Sequence, residues 1–372
     1  MSKEGADMNE DLQQVLSSFL EDGCVIANKI YSLSKIGELG IDDFSNMFHS
    51  ISKFKLYKYC PNTVDKDTNR NYSIENLINN TVYMQDFKKF DDSFDCAIDV
   101  DIIKFTRLRL EKYCEYFRVD FSNKDDLSML VYKIRCFLYE YIKDGKLETL
   151  IEEFKDPVQK LRIQVFIANI KVEICNNHLE FNDALSVVIN KEYVDYINRL
   201  NKFKITCFSM SPYINRMWSS AYGDNNKGFC IEYTIDFDDV EKRDLFVNLF
   251  PVIYSQKRND NLVFMDENDV TLSKNGLWQY YFNGMLRKSF SWFEQMEWRL
   301  ILPEIFIKEN NLVKFYKITK VFLGINMPKT EKKKIINICK EYQIPYEGVI
   351  RKTDSFDIIS CNGDCYICDK TK

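Results

Sequence analysis

The chain has 372 residues, a net charge of −5, and 45% hydrophobic, 15% aromatic and 29% charged residues. That mixture excludes a disordered chain, and the acidic balance excludes whole-surface attraction to nucleic acid while leaving room for a local basic patch. Residues 1–14 carry no basic or apolar signal region, and no apolar run reaches the roughly 18–20 residues of a membrane helix. The expected compartment is therefore the cytosol, with no membrane partner. There the twelve cysteines are expected to be reduced. Cys136, Cys207 and Cys230 sit in apolar runs and are read as small buried hydrophobes.

Residues 9–35 have helical spacing, with Leu12, Val15, Leu16 and Phe19 on one stripe, and predict an N-terminal helical extension over 1–50. "FKLYKY" (54–59) reads as a strand, and "SIENLINN" (73–80) as a short helix capped by Ser73. "TVYMQ" (81–85) is β-prone, and "FKKFDDSFD" follows as a loop. Residues 101–201 read as three to five helices, a helical insertion of about a hundred residues. Strands resume at 203–210, 228–235 and 249–255. A helix is predicted at 276–290, then strands at 295–302, 312–318 and 320–325, a helix before Pro345 and a strand at 346–352. The expected fold class is α+β: a mixed, mostly antiparallel sheet with flanking helices and a large helical insertion. The core domain is 51–100 with 202–355, the insertion 101–201, and the cysteine-containing tail 356–372.

Cys361, Cys365 and Cys368 have C-x3-C-x2-C spacing, which supplies three ligands of an iron–sulfur or zinc site, with no fourth nearby. A reduced tail is the favoured reading. Only two histidines, His49 and His178, are present, both in helix-like contexts and read as structural. There is no phosphate-binding P-loop and no glycine-rich dinucleotide fingerprint. In "QMEWR", strand alternation puts Gln295, Glu297 and Arg299 on one face, and Met296, Trp298 and Leu300 on the core face. That carboxylate could stabilise a sugar oxocarbenium ion; the plain alternative is an exposed or half-buried Glu–Arg pair of little energetic weight. Ser209 and Ser211 share a face at a strand end. Lys58, between Tyr57 and Tyr59, could hold an anion or a flat ring, against ordinary strand amphipathicity.

The ordered motifs "LYKY", "IENLINNTVYMQDFKKFDDSFD", "ITCFSMS", "MWSSAYGDNNKGFCIEY", "PVIYS", "FEQMEWRLI" and "KVFLGI" resemble the bacterial family called domain of unknown function 2971, over about residues 54–325 outside the insertion. Asp91 and Ser93 stand where that family has asparagine and proline, and Ser220 and Asn226 where it commonly has histidines. Tyr57/Lys58, Ser209-Met210-Ser211 and Gln295-Met296-Glu297, in that order, also resemble ADP-ribosyltransferases. This second resemblance implies an enzyme that consumes NAD as substrate, a bacterial effector in phage defence or a toxin system acting on a protein or nucleic-acid acceptor. It implies that Tyr57 or Lys58 contacts the NAD phosphates or ribose. Ser209 and Ser211 would support the pocket and Tyr222 stack on nicotinamide. Glu297 would stabilise the oxocarbenium, Gln295 position the acceptor and Arg299 complete the polar platform. Two alternatives stand beside it. One is a metal-dependent nucleic-acid or nucleotide-processing enzyme using Asp91, Asp92, Asp95, Glu232 and Glu297. The other is a non-catalytic ligand-sensing or partner-binding module.

Overall fold

The computed structural model describes residues 23–26, 29–32, 53–90, 92, 95–96, 101–143, 146–236, 238–255, 284–308 and 310–361. These fall into two compact units. One draws on Met1–Ala97, Phe203–Asn259 and Leu277–Lys372; among the described residues the other falls within Ile98–Lys202. The fold is α+β, with mostly antiparallel strands. His49, Asp91, Ser93, Cys365, Cys368 and most of the segments 9–35 and 276–290 lie outside the described residues.

The first unit is built on a nine-stranded sheet. Its strands are β3 (Lys53–Cys60), β5 (Gln85–Asp86), β6 (Phe203–Ser209), β7 (Phe229–Asp236), β8 (Leu249–Pro251), β11 (Glu297–Pro303), β13 (Ile318–Leu323), β14 (Tyr346–Arg351) and β15 (Ile358–Ser360). The order is β15-β14-β13-β7-β3-β6-β11-β8, with β5 beside β6. Only β13 and β14 run parallel; the other pairings are antiparallel. β7 is central because its run of Phe229, Cys230, Ile231, Glu232 and Tyr233 is buried on both faces, the pattern of an interior strand. One sheet face packs Phe54 on Trp298 (4.7 Å between centroids) and Phe208 on Phe315 (4.6 Å). The other packs Tyr57, Tyr59, Trp218, Cys230, Phe322, Val349 and Ile358.

A four-stranded sheet is formed by β1 (Gly23–Ile26), β2 (Lys29–Ser32), β9 (Ile253–Ser255) and β10 (Arg287–Ser289), and a two-stranded one by β4 (Thr81–Tyr83) and β12 (Leu312–Lys314). Three expectations change here. A hairpin of β1 and β2 stands inside the stretch with helical spacing, its four residue pairs in register from Gly23↔Ser32 to Ile26↔Lys29. Arg287–Ser289 is a strand paired in parallel with β9, not the end of a helix. The single strand expected over 249–255 is two, β8 in the large sheet and β9 in the small one. Helix α1 (Tyr72–Asn79) is capped by Asn71, whose side chain accepts from the Ile74 N–H, so Ser73 lies inside the helix and does not cap it. Asn80 closes it at φ 48°, a left-handed position asparagine tolerates.

The second unit is helical: α2 (Ile102–Phe117), α3 (Leu127–Lys143), α4 (Leu147–Glu152), α5 (Pro157–Asn177) and α6 (Phe181–Leu200). Asp101 caps α2 by accepting from Ile103 and Lys104. Proline at the first position of α5 costs no intrahelical bond. Tyr113 stacks on Phe166 at 3.7 Å, and Arg109 bonds both Glu192 (2.7 Å) and Tyr113 (2.9 Å). His178 follows α5 at φ 53°, so it stands at a helix end. Cys230 is buried as expected, but Cys136 is exposed, and Cys207 is half-buried on the face of β6 that also carries Ile205 and Ser209, opposite Arg299 of β11. Among the described residues no helix is long and apolar enough to cross a membrane.

Candidate functional site

Residues paired across antiparallel strands point to the same face. The register runs Glu297↔Ser209, Ser209↔Tyr57, Tyr57↔Glu232 and Glu232↔Lys320, a lateral row across β11, β6, β3, β7 and β13. Neighbouring strands lie about 4.7–4.9 Å apart, so Tyr57, Ser209 and Glu297 stand side by side on one face, all three buried. The Ser209 hydroxyl donates to the Gln295 carbonyl at 2.8 Å. Tyr57 donates to Glu232 Oε2 at 3.2 Å, and Thr319, presented by an irregularity in β13, donates to Glu232 Oε1 at 2.8 Å. Lys55 Nζ lies 3.0 Å from Glu232. Burial and then the Glu232 charge push the Tyr57 phenol well above its ordinary range, so it stays a hydroxyl donor.

At the Glu297 end of the row, four charges close a ring. Arg299 Nε donates to Glu297 Oε1 at 2.7 Å and Nη2 to Asp95 Oδ1 at 2.6 Å. Lys288 Nζ donates to Glu297 Oε2 at 2.6 Å and lies 3.1 Å from Asp95 Oδ2. Each carboxylate thus gives one oxygen to arginine and one to lysine. All four side chains are buried, Arg299 completely. Lys288 also donates to Gln295 Oε1 at 2.9 Å, while Arg299 Nη1 reaches Cys96 Sγ at 2.9 Å and the Met285 carbonyl. Burial alone would raise the Glu297 carboxyl, but the Arg299 and Lys288 charges outweigh it and hold the group well below the usual carboxylate range. Burial opposes the Lys288 charge, and Glu297 with Asp95 more than restores it. The ring is neutral as a whole, the condition under which buried charges persist.

Above the ring lies an aromatic surface element. Trp292, half-buried in the 3-10 turn Phe290–Gln295, donates from Nε1 to Asp92 at 3.0 Å. Lys288 Nζ lies 5.4 Å from its ring, and the exposed Arg216 guanidinium lies 3.9 Å from it. Arg216 belongs to the short helix α7 (Asn215–Ser219), which opens the loop into β7. That loop contains three successive left-handed residues, Asp224, Asn225 and Asn226, at φ 48°, 51° and 66°. It is pinned by the Asn226 N–H to the Trp218 carbonyl (2.7 Å) and the Gly228 N–H to the Gly223 carbonyl (2.9 Å). Trp218 is fully buried, donates to the Pro212 carbonyl at 2.7 Å, and meets Tyr59 edge-on at 5.3 Å.

The expected residues divide. Glu297, Ser209 and Tyr57 share the row, and Glu297 with Arg299 shares one face of β11, as alternation requires. Gln295 does not belong to that strand. It ends the 3-10 turn, Met296 interposes a left-handed residue at φ 42°, and Gln295 reaches the ring only through Lys288. Met296 is accordingly half-buried, while Trp298 and Leu300 are core. Ser211 lies beyond the end of β6, its carbonyl accepting from Tyr59 (3.0 Å). Lys58 is not enclosed by Tyr57 and Tyr59. It points to the opposite face, donating to Thr206 Oγ1 and the Cys207 carbonyl, both at 2.9 Å, over the Phe208 ring. Tyr222 is exposed in the loop. The acids considered for a metal separate into Asp95 and Glu297 in the ring, Asp92 on Trp292, and Glu232 in its own cluster; Asp91 lies outside the described residues. The Glu–Arg pair is neither exposed nor half-buried. Lys288, Arg216 and Trp292 were missed, and Asp95 was considered only as a metal ligand; a lysine four residues before "WFEQMEWR" gives no periodic signal.

No curated protein and no solved structure matches the chain. Residues 217–300, which span the loop from Met217, all of β7 to β10, and β11 as far as Leu300, match the model of a family described as "Protein of unknown function (DUF2971)".

Proposed function

We propose that the row of Tyr57, Ser209 and Glu297 is the centre of an NAD-consuming, ADP-ribosyltransferase-like enzyme. One observation carries the reading: these three residues, from segments far apart in sequence, stand in register on one face of three adjacent strands. In that reaction the nicotinamide–ribose bond breaks with its electron pair leaving on nicotinamide. The ribosyl oxocarbenium is then captured by an acceptor nucleophile, which releases its proton. Glu297 remains an anion because Arg299 and Lys288 hold it so, which suits it to stabilising a cation and not to acting as a proton acceptor. Tyr57 and Ser209 are neutral donors beside it. The acceptor, a protein or nucleic acid, and a role in phage defence or as a toxin remain part of the proposal.

A specific observation favours a second reading, a ligand-binding module without chemistry: both oxygens of Glu297 are already engaged by cations. The test is to incubate the protein with NAD, following nicotinamide release and NAD binding in parallel. The variants are Glu297→Gln and, because that change leaves two buried cations undercompensated, Tyr57→Phe as a milder companion. Release lost in the variants with folding retained supports the transferase. NAD bound but intact supports a binding module for NAD, and absence of NAD binding overturns the transferase and NAD as the module's ligand.

A further inference from the structure

A dinucleotide substrate carries a diphosphate, and Lys58 cannot meet it on the face that holds the row, because its ammonium is held by Thr206 and Cys207 on the other side of the sheet. Arg216 is differently placed. Its guanidinium is exposed, and among the described residues no carboxylate pairs with it. It is nevertheless oriented: Nη1 donates to the Ser291 carbonyl at 3.0 Å, and the plane stacks 3.9 Å from the centroid of Trp292. The indole is itself fixed by Asp92 at 3.0 Å and adjoins Lys288, which in turn bonds Glu297 at 2.6 Å. Three successive contacts therefore join the exposed cation to the anionic end of the row.

We propose that Arg216 is the diphosphate-binding residue of this site, a guanidinium pre-oriented on Trp292 to receive the anionic bridge of a dinucleotide whose sugar lies toward Glu297. The inference rests on the reading of the row as a dinucleotide site but not on any chemistry there. A planar fork of N–H donors held in one orientation loses less entropy on meeting a phosphate than a free side chain, and it bonds phosphate oxygens in pairs. Stacking leaves the edge of the guanidinium available for those bonds.

The probe is ADP, which has the diphosphate and lacks nicotinamide, with adenosine as the control without phosphate. Binding is followed by calorimetry and by the part of the tryptophan emission that Trp292→Phe removes. The wild type is expected to bind ADP saturably, with adenosine much weaker. Arg216→Ala should weaken ADP by roughly ten- to a hundredfold, the weight of a hydrogen bond to a charged group, and Arg216→Lys by less. Melting curves of the two variants should overlay the wild type, since the side chain is exposed. Equal ADP affinity in the wild type and Arg216→Ala, or no saturable ADP binding by the wild type, would overturn the proposal. Arg216-dependent ADP binding with NAD left intact sustains it while sinking the transferase reading; NAD turnover with Arg216-independent ADP binding does the reverse.

Discussion

Arg299 makes four contacts from a fully buried guanidinium: to Glu297, Asp95, Cys96 and the Met285 carbonyl. Replacing it with methionine keeps most of the volume but leaves Asp95 and Glu297 facing Lys288 alone. Arg299→Met is expected to cost about 3–5 kcal/mol, the range for breaking a buried ion pair from one side, read as a lowered midpoint in urea unfolding. At this scale the sequence was half informative. Glu297 and Arg299 two apart on a strand had to share a face, and did. Tyr57 and Lys58, adjacent on a strand, had to take opposite faces, and only one could belong to the site. Lys288 was invisible, and Asp95 was considered only as a metal ligand and not as a partner of Arg299, because it is 204 positions away and nothing local records which distant charge completes a ring.

At the scale of elements, the loop into β7 owes its shape to backbone packing against the start of the next connection. A Cβ built on Gly324 would stand 2.4 Å from the Asn226 carbonyl oxygen and 2.7 Å from that of Gly228. Both neighbours are backbone, and both carbonyls already accept bonds, from Asn326 (2.9 Å) and Gly324 (3.0 Å). Gly324→Ala should therefore destabilise by about 1–3 kcal/mol, as overpacking does, with increased hydrogen exchange at Asn226 and Gly324 as the local readout. An unchanged melting temperature would contradict this account. The loop's glycines and asparagines marked a turn in the sequence, but not the close approach that selects glycine at 324. The misread elements share a cause. Residues 23–32 have helical apolar spacing and 287–289 end a helix-like run, yet each pairs with β9, and sheet pairing overrode local periodicity.

For the whole molecule, the ring makes stability depend on pH in a defined direction. The Glu297 carboxyl is depressed below its ordinary value of 4.5, so its contribution is complete above that pH and is lost as pH falls toward the depressed value. Lys288 is raised above 10.5, so its contribution is complete below that pH and is lost as pH rises through the raised value. The ring is at full strength between these limits. The stability difference between wild type and Lys288→Met, measured by urea unfolding across pH, should be flat near neutrality and shrink below pH 4.5. A difference that stays constant down to the acid limit would show that the Lys288–Glu297 attraction contributes nothing.

The sequence by itself determined the α+β class, the helical character of residues 101–201, most strands of the large sheet and the shared face of Glu297 and Arg299. Each follows from a local period of side chains along one segment. Only the tertiary structure decided the register that aligns Tyr57, Ser209, Glu297 and Glu232, the closure of the charge ring by Asp95 and Lys288, and the stacking of Arg216 on Trp292. Those depend on which strands become neighbours and at what offset. That choice is made by burying both faces of the sheet and compensating every buried charge at once, so no single segment carries it.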